Sequence, residues 1–287
     1  MTDILTRFST RRDLHQSPMH GKVLADLGWS STGSPGSLIY YRPLGPLSVA
    51  KLQRPAEIDP VWLKQFRKKH HTLTTYIEPS LTSKVTEYLG VRAEPFAHSS
   101  TSLIDLMPID GDILASFTQK TRYNITHTLK KNHLKIKTIA LSQLKNPERS
   151  EFYTLHQNWS KQKNVIGYSR QLLDSTIKNY SGHGDLHLAY LGQDLVGALL
   201  ILYHDSVATY WVAFASPLGY KEFAPTLLTW VAIQSAKAND CEIFDFGGIY
   251  DPRYPKMYAR WQGFTKFKSG FNPTVVSYPP TTLQLFW

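Results

Sequence analysis

Three apolar segments follow one another closely in the second half of the chain, and they constrain its fold most strongly. They cover Leu186–Leu191, Leu195–Tyr203 and Val207–Ala213. Their short connections predict an antiparallel meander. An amphipathic helix around Leu227 and a short apolar strand, Glu242–Phe246, come next. Antiparallel strands followed by a helix and a further strand predict an α+β fold.

The first half mixes helices and strands in the same way. Pro60–Lys69 is a predicted helix, because proline suits a first helical turn. Strands are predicted at Leu73–Glu78, Ser102–Met107 and Leu134–Ile139. Between the last two strands we expect one helix, whose apolar stripe consists of Ile113, Phe117, Ile125 and Leu129.

Length and apolar content allow one large domain or two small ones. The chain has 287 residues, of which 42% are hydrophobic, so it can bury a sizeable core. The most apolar run, Leu195–Tyr203, is too short to span a bilayer. Met1–Leu14 contains no apolar stretch of signal-peptide length, so we expect a cytoplasmic location.

The charge balance favours anionic partners. A formal net charge of +10 attracts nucleic acid, phosphorylated substrates or an anionic membrane surface, although it could serve solubility alone. The single cysteine, Cys241, excludes an internal disulfide and multi-cysteine zinc sites. His183 and His187 lack an evident third ligand, so we expect no metal site.

Six short strings occur in order along nearly the whole chain. They are His15-Gln16-Ser17 with Leu27-Gly28-Trp29, Ile77-Glu78-Pro79, Ile104-Asp105-Leu106, Lys120-Thr121-Arg122-Tyr123-Asn124-Ile125, Asp245-Phe246-Gly247-Gly248-Ile249 and Phe267-Lys268-Ser269-Gly270-Phe271. Each string is weak by itself. Together they resemble motifs of the FemA/FemB/FemX-like (FemABX) peptidoglycan bridge peptidyltransferases, which are related to the GNAT acyltransferases.

The resemblance implies two GNAT-like subdomains. The first would comprise residues 1–140 with the tail 278–287, and the second residues 141–277. Some family members insert a long two-helix arm into the second subdomain. This chain has no room for such an arm, so the compact form is expected.

The resemblance also implies an activity, namely transfer of an amino acid from aminoacyl-tRNA to the stem-peptide amine of a peptidoglycan precursor. The expected partners are aminoacyl-tRNA and a UDP-linked or lipid-linked muropeptide precursor. Peripheral contact with the cytoplasmic membrane face and a monomeric state are also expected. No cofactor is expected, because the ester of aminoacyl-tRNA is already activated. The amino acid and the acceptor stay open.

The expected catalytic residues are Lys268 and Asp105. A Lys268 ammonium following a strand could stabilise the oxyanion or hold the 3′-terminal phosphate of tRNA, although it could also be a surface lysine. Asp105 could act as general base or simply accept hydrogen bonds from backbone amides. Phe267 could stack on the terminal adenine, or it could be a core residue.

The other expected site residues bind substrate. Lys120 and Arg122 could bind phosphate groups or form a solvated helix face. By the resemblance, Lys163 and Tyr168 would bind a nucleotide-sugar diphosphate. The remaining candidates lie at a strand end or on the central strand, and they are Asp245, Gly247, Gly248, Tyr210 and Trp211. The alternative roles for these residues are hydrogen bonding within the turn and packing.

Two other functions fit the composition. A GNAT-like acyl-CoA enzyme would need a glycine-rich loop for the pyrophosphate, and Ser216-Pro217-Leu218-Gly219-Tyr220 has one glycine, which disfavours this function. A non-catalytic RNA-binding protein would fit the charge equally well.

Overall fold

A computed structural model describes residues 3–34, 36–83, 90–131 and 133–285. The chain divides into two compact units. The first comprises Met1–Thr101, Gly248–Gly263 and Val275–Trp287, and the second comprises Ser102–Gly247 and Phe264–Thr274.

Within the described residues up to 92, the structure has three α-helices and five short strands. They are α1 (Ile4–Thr10), α2 (Pro18–Asp26), β1 (Ser30–Thr32), β2 (Ile39–Leu44), β3 (Leu47–Gln53), α3 (Pro60–Lys69), β4 (Thr72–Glu78) and β5 (Val91–Arg92).

The described part of the chain from residue 100 onwards contains both long and short elements. They are β6 (Ser100–Asp105), α4 (Asp110–Ser116), α5 (Gln119–Lys131), β7 (Leu134–Ala140), α6 (Glu148–Lys163), α7 (Arg170–Asn179), β8 (Gly184–Leu191), β9 (Asp194–His204), β10 (Val207–Ala215), α8 (Pro217–Lys221), α9 (Ala224–Ala238), β11 (Ile243–Asp245), α10 (Gln262–Ser269), β12 (Thr274–Ser277) and β13 (Thr282–Leu285).

The first unit is built on a six-stranded sheet with the order β1-β2-β3-β4-β13-β5. Strands β3 and β4 are parallel, and the other recorded pairs are antiparallel. Helix α3 begins where the sequence predicts, because the Asp59 side chain accepts hydrogen bonds from the first backbone N–H groups of the helix. Its buried residues Leu63 and Phe66 join Ile39, Leu52 and Ile77 in the core.

Two residues of the family-like strings hold this unit together. The Gln16 amide donates to the Gln53 carbonyl at 2.6 Å, and its oxygen accepts from the Leu38 N–H at 2.6 Å. The buried Glu78 carboxylate accepts from the Gln53 amide and from the Ala97 N–H, each at 2.7 Å. Since buried polar groups require partners, both residues serve the fold.

The second sheet has seven strands in the order β12-β6-β11-β10-β9-β8-β7. Its antiparallel meander β8-β9-β10 confirms the prediction from the three apolar segments. Helix α9 packs against this meander, and Leu227, Leu228 and Ile233 are each no more than 2% exposed. This core fixes the sheet on which the candidate site lies.

The single helix predicted across the apolar stripe is wrong, because the structure has two helices. Helix α4 ends at Ser116, Phe117 is extended, and α5 begins at Gln119. The stripe continues through the break because the Phe117 side chain is only 1% exposed. Periodicity of apolar residues therefore did not reveal the interruption.

The observed units are divided differently from the predicted subdomains. The first boundary lies at Thr101/Ser102 and not near Ala140, because α4, α5 and β7 pack on the sheet and helices of the second unit. The chain also returns to the first unit at Gly248–Gly263 before its final return at Val275. Residues 286 and 287 of the predicted tail lie outside the described residues.

Within the described residues, no helix has the length and apolar character needed to cross a membrane. The same part of the chain contains no group of three or more His, Cys, Asp or Glu side chains arranged to hold a metal ion.

Candidate active site

The candidate site lies in the second unit, where the pairing of two parallel strands ends. Strands β10 and β11 pair from Val207/Ile243 to Thr209/Asp245, and β11 then ends. Strand β10 continues to Ala215 along β9 alone, with a register shift between Tyr210 and Val212. Ligands of open α/β sheets commonly bind at the carboxyl ends of such parallel strands.

Helix α10 places Lys268 beside these strand ends. The side chain is 6% exposed. Its Nζ lies 5.5 Å from the ring centroid of Tyr210 and 5.0 Å from that of Phe264. The sequence analysis expected Lys268 to follow a strand, whereas it lies in the last turn of a helix. The alternative of a surface lysine is excluded by its burial.

The surroundings of Lys268 change its protonation. Burial lowers its pKa to about 7, although the nearby Asp245 carboxylate acts in the opposite direction. Burial also raises the pKa of the neighbouring Tyr210 phenol, which therefore stays neutral. The site thus contains an amine that gains or loses a proton near neutral pH, next to a neutral hydroxyl group.

Asp245 and the glycines after it shape the end of β11. The Asp245 Oδ1 accepts a hydrogen bond from the Gly247 N–H at 2.8 Å, which is the turn contact considered in the sequence analysis. Gly247 has φ +65°, and a Cβ there would lie 3.3 Å from the Tyr210 carbonyl oxygen. A Cβ on Gly248, which belongs to the first unit, would lie 2.2 Å from the Trp261 ring. Both glycines are therefore required by the backbone path.

Two family-like strings meet at Gly270. The Thr118 N–H and hydroxyl donate to the Gly270 carbonyl at 3.0 and 2.9 Å. A Cβ on Gly270 would lie 2.6 Å from the Thr121 Oγ1. The start of α5 is thereby fixed against the end of α10 that carries Lys268.

Of the two candidate phosphate-binding cations on α5, one is exposed and the other forms hydrogen bonds within the protein. Lys120 is exposed in the first turn of the helix. Arg122 donates from Nη1 to the carbonyl oxygens of Ala115 and Phe117. Arg122 thus donates hydrogen bonds to carbonyl groups that have no partner within the end of helix α4. Neither phosphate binding nor a solvated helix face, the two roles considered for this residue, includes that contact.

Three other predicted residues lie at or near these strands. Phe267 is half-buried against the core, with its ring centroid 5.4 Å from that of Phe271. Trp211 is half-buried at the register shift of β10. Asp105 accepts a hydrogen bond from the Met107 N–H at 3.0 Å and pairs with Ile243, whereas Asp245 pairs with Leu103. Asp105 therefore lies at the other end of β11 from Asp245.

Lys163 and Tyr168 lie together at the end of α6 and in the loop after it. The Lys163 Nζ is 5.1 Å from the ring centroid of Tyr220 on α8. The Tyr168 ring is stacked near His156, with centroids 6.5 Å apart. The Trp159 Nε1 donates to the Tyr220 hydroxyl at 3.2 Å. The sequence analysis did not identify Trp159, His156 or Tyr220.

Phe264 was also missed, although it lies four residues before Lys268 on α10. Recognising 262–269 as a helix would have placed both side chains on one face, because residues at this spacing are neighbours.

The first unit contains a half-buried amine, Lys51, that was not predicted from the sequence. Burial lowers the pKa of Lys51 to about 8, and the Glu78 carboxylate opposes this shift. The Lys51 Nζ lies 4.9 Å from the ring centroid of Trp29, a residue of the first family-like string. The only sequence feature that points to Lys51 is Trp29, because Trp29 belongs to one of the family-like strings.

Comparison with known proteins shows a family match over part of the chain and a shared fold. The model of the FemAB family matches residues 192–281. Comparison with curated protein sequences gave no match. The structure of FemX superposes with a TM-score of 0.78 at 12% sequence identity, covering 100% of this chain and 97% of FemX.

Two further solved structures are similar in fold. The C-terminal domain of a putative lysylphosphatidylglycerol synthetase from Agrobacterium fabrum gives a TM-score of 0.62 at 14% identity, covering 95% of this chain and 88% of that domain. A GCN5-related N-acetyltransferase from Kribbella flavida gives 0.50 at 11% identity, covering 99% and 95%. These matches confirm the predicted α+β fold with two GNAT-like subdomains, and the FemAB match over residues 192–281 agrees with the FemABX-like resemblance of the sequence.

Proposed function

We propose that this protein is an aminoacyltransferase that moves an amino acid from aminoacyl-tRNA to the stem-peptide amine of a peptidoglycan precursor. The FemAB match over residues 192–281 supports this assignment, because it covers β10, β11 and Lys268. The observation that carries the proposal is the buried Lys268 beside the separated ends of β10 and β11.

The ester of aminoacyl-tRNA is already activated, so the main requirement of the reaction is stabilisation of the negative charge that develops on the carbonyl oxygen. The acceptor nitrogen attacks the ester carbonyl carbon, a tetrahedral oxyanion forms, and the nitrogen loses a proton. The C–O bond then breaks, and the ribose hydroxyl of tRNA leaves with a proton. We assign Lys268 to the oxyanion or to the terminal phosphate of tRNA, since a protonated amine in a water-poor site stabilises either anion strongly.

An approaching anion would favour the protonated form of Lys268. Burial has lowered its pKa to about 7, so a substantial fraction of free protein at neutral pH lacks this proton. A phosphate or oxyanion nearby raises a lysine pKa, because opposite charges favour the charged form. Binding of the donor would therefore complete the charge of the site.

The α8 segment supports tRNA over acyl-CoA as the donor. The Gly219 N–H donates to the Ser216 Oγ at 3.1 Å, and a Cβ on Gly219 would lie 2.1 Å from the Val196 carbonyl oxygen. The one glycine of this segment thus packs closely on β9, with its amide already engaged. A pyrophosphate site needs a cluster of free amides.

The test is transfer of labelled amino acids from a mixed charged tRNA pool to UDP-linked pentapeptide, lipid-linked precursor or phosphatidylglycerol. Wild-type protein is compared with Lys268→Met and with Lys266→Met, which alters an exposed lysine on the same helix. We expect label in a muropeptide product, a loss of at least about 100-fold with Lys268→Met, and little change with Lys266→Met.

Other outcomes would redirect the assignment. Label in phosphatidylglycerol alone would make the protein a lipid aminoacyltransferase. Absence of label from every acceptor, combined with CoA binding by calorimetry, would replace the proposal with acyl-CoA chemistry. Salt-sensitive RNA binding without transfer, unchanged in Lys268→Met, would indicate a binding protein.

A further inference from the structure

The loop after α6 presents an isoleucine entirely to solvent. Ile166 is 103% exposed, and Tyr168 two residues later is 47% exposed. Asn164 ends the helix in the left-handed region with φ 48°. A Cβ on Gly167 would lie 2.6 Å from the Ser160 Oγ and 2.8 Å from the His156 ring. The loop is therefore held tightly against α6, and the exposure of Ile166 at its tip is built into the fold.

This apolar surface continues onto α8. The Trp159 Nε1 donates to the Tyr220 hydroxyl at 3.2 Å, which joins the last turns of α6 to α8. Tyr220 and its neighbour Leu218 are 44% and 42% exposed. We call the side chains of Ile166, Tyr168, Leu218 and Tyr220 the α6–α8 face.

Cations outnumber acidic side chains in the sequence around this face. Residues 159–170 and 216–222 contain Lys161, Lys163, Arg170 and Lys221 but one acidic residue, Glu222, whose carboxylate lies 2.8 Å from the His133 Nε2. The Arg170 Nε forms an ion pair with the Asp174 Oδ2 at 3.6 Å. All three lysines are exposed, and Lys163 packs its ammonium over the Tyr220 ring. The surface therefore combines apolar tips, tyrosines and positive charge.

This combination fits the boundary of an anionic bilayer. Aliphatic side chains enter the acyl region, tyrosines lie at headgroup level, and lysines contact lipid phosphates. Single-stranded RNA is the other polyanion that aromatic and basic side chains attract. Bases stack on aromatic faces, however, and a fully exposed isoleucine offers none. The apolar tip and the excess of positive charge together favour lipid.

We propose that the α6–α8 face docks this protein on an anionic membrane, with Ile166 entering the acyl boundary and Lys161, Lys163 and Lys221 on the headgroup phosphates. Docking would keep the protein where membrane-anchored substrates are concentrated. Given the proposed function, on which this consequence rests, the acceptor is then the lipid-linked precursor and not the UDP-linked one.

Insertion can be measured directly because the single cysteine, Cys241, is buried. Ile166→Cys labelled with an environment-sensitive fluorophore is mixed with vesicles of equal parts phosphatidylglycerol and phosphatidylcholine. We expect a blue shift that pure phosphatidylcholine vesicles do not produce. The control is Val61→Cys, whose parent side chain on α3 is 65% exposed, and we expect no shift from it. Wild-type protein treated with the dye measures any reaction of Cys241.

Binding strength is measured by cosedimentation with the same vesicles. Ile166→Ser should weaken binding about tenfold, because a buried aliphatic side chain contributes about 1.5 kcal/mol or more. Neutralising Lys161 and Lys221 to glutamine should weaken it about 25-fold, at about fivefold per lysine. The matched control neutralises Lys64 and Lys68, two exposed lysines of α3, and should bind as wild type.

Each contrary result overturns the docking proposal. Labels at positions 166 and 61 that respond alike would show that the loop does not insert. Weaker tRNA binding by Ile166→Ser, with unchanged vesicle binding, would assign the face to RNA. These readouts need no catalysis, so they fail separately from the transfer assay. Equal vesicle binding by wild type and Ile166→Ser would remove the argument for a lipid-linked acceptor and leave the proposed transferase activity intact.

Discussion

Burial of the Lys268 amine couples folding to protonation. Its pKa is lowered to about 7, whereas a lysine in an unfolded chain keeps a pKa near 10.4. Between these two values the unfolded state binds more protons, so wild-type stability rises with pH. Below pH 7 the folded protein holds a desolvated charge. A residue kept under such conditions is a strong candidate for function, because active sites collect groups with shifted pKa values.

We therefore expect Lys268→Met to stabilise the protein at pH 7 while it removes transfer activity. The gain in the free energy of unfolding should be on the order of 4 kcal/mol, since the folded and unfolded pKa values differ by more than three units, each corresponding to about 1.4 kcal/mol. The gain should shrink as pH rises from 7 towards 10. Urea unfolding of both proteins across this range measures it. A pH-independent difference would contradict the assigned pKa, and Lys266→Met serves as the exposed control.

Substitution of Arg122 and substitution of Lys120, the two cations of α5, should have different effects on stability. Arg122→Ala should lower the free energy of unfolding by about 1–3 kcal/mol, because the carbonyl oxygens of Ala115 and Phe117 lose their donor. Lys120→Ala should change stability by no more than about 0.5 kcal/mol, because Lys120 is exposed. Thermal and urea unfolding distinguish the two variants. Equal stability losses would contradict the structural role given to Arg122.

At the scale of elements, the end of α10 and the start of α5 act as one support for the site. Gly270 accepts from Thr118 and has no room for a side chain next to Thr121. Gly270→Ala should therefore destabilise the protein by about 1–3 kcal/mol. Adding Thr121→Ala should restore part of this loss, because it removes the oxygen 2.6 Å from the new methyl group.

A neighbouring glycine provides the control for this prediction. A Cβ on Gly263, in the first turn of α10, would meet nothing within 4 Å. Gly263→Ala should thus be neutral or stabilising by up to about 1 kcal/mol, as helix propensity requires. Unfolding experiments on the three variants, with Thr121→Ala alone as reference, would show whether the crowding is local. Absence of rescue by Thr121→Ala would refute it.

The regular elements of the core could be predicted from the sequence, whereas the irregular ones could not. The meander β8-β9-β10 and helix α3 carry period-two or capping signals that act locally. The break at Phe117 depends on the Gly270 carbonyl, which lies far along the chain. The extra residue at Trp211 is likewise visible only in the strand register. Such features arise from tertiary contacts, which override local pattern.

Some residues of the candidate site could be predicted from the sequence, and others could not. Lys268, Asp245 and Tyr210 came from family resemblance and central-strand position, and the structure brings them together. Lys51 carries no local signal, because its shifted pKa comes from burial in the three-dimensional fold. Ile166 was passed over because exposure cannot be read from a single apolar residue in a loop.

At the scale of the whole molecule, one carboxylate fastens the segment that returns to the first unit. Asp251 accepts hydrogen bonds from the Ser99 and Ser100 hydroxyl groups at 2.5 and 2.9 Å and pairs with Arg253 at 2.7 Å. Arg253 also donates to the Ser99 and Tyr278 carbonyl oxygens, each at 2.9 Å. These contacts join three separate parts of the chain within one unit.

Asp251→Asn should lower the free energy of unfolding at pH 7 by about 3 kcal/mol, the usual cost of breaking a buried ion pair. Hydrogen bonds from Arg253 and Ser99 hold the pKa of Asp251 well below its usual range. Its contribution is therefore present above about pH 4 and is lost as pH falls further. Acid titration of both proteins should show their stabilities converging. Parallel curves would contradict this.

The sheet order β1-β2-β3-β4-β13-β5 has a consequence for synthesis on the ribosome. Strand β13, Thr282–Leu285, pairs with both β4 and β5. While the chain emerges, the edge of β4 stays unpaired until residues 282–285 are translated, and such edges attract other strands. The nascent protein therefore carries an unfinished sheet from the synthesis of β4 until that of β13. A variant whose β13 residues cannot pair would be prone to edge-to-edge association, although its second unit is unchanged.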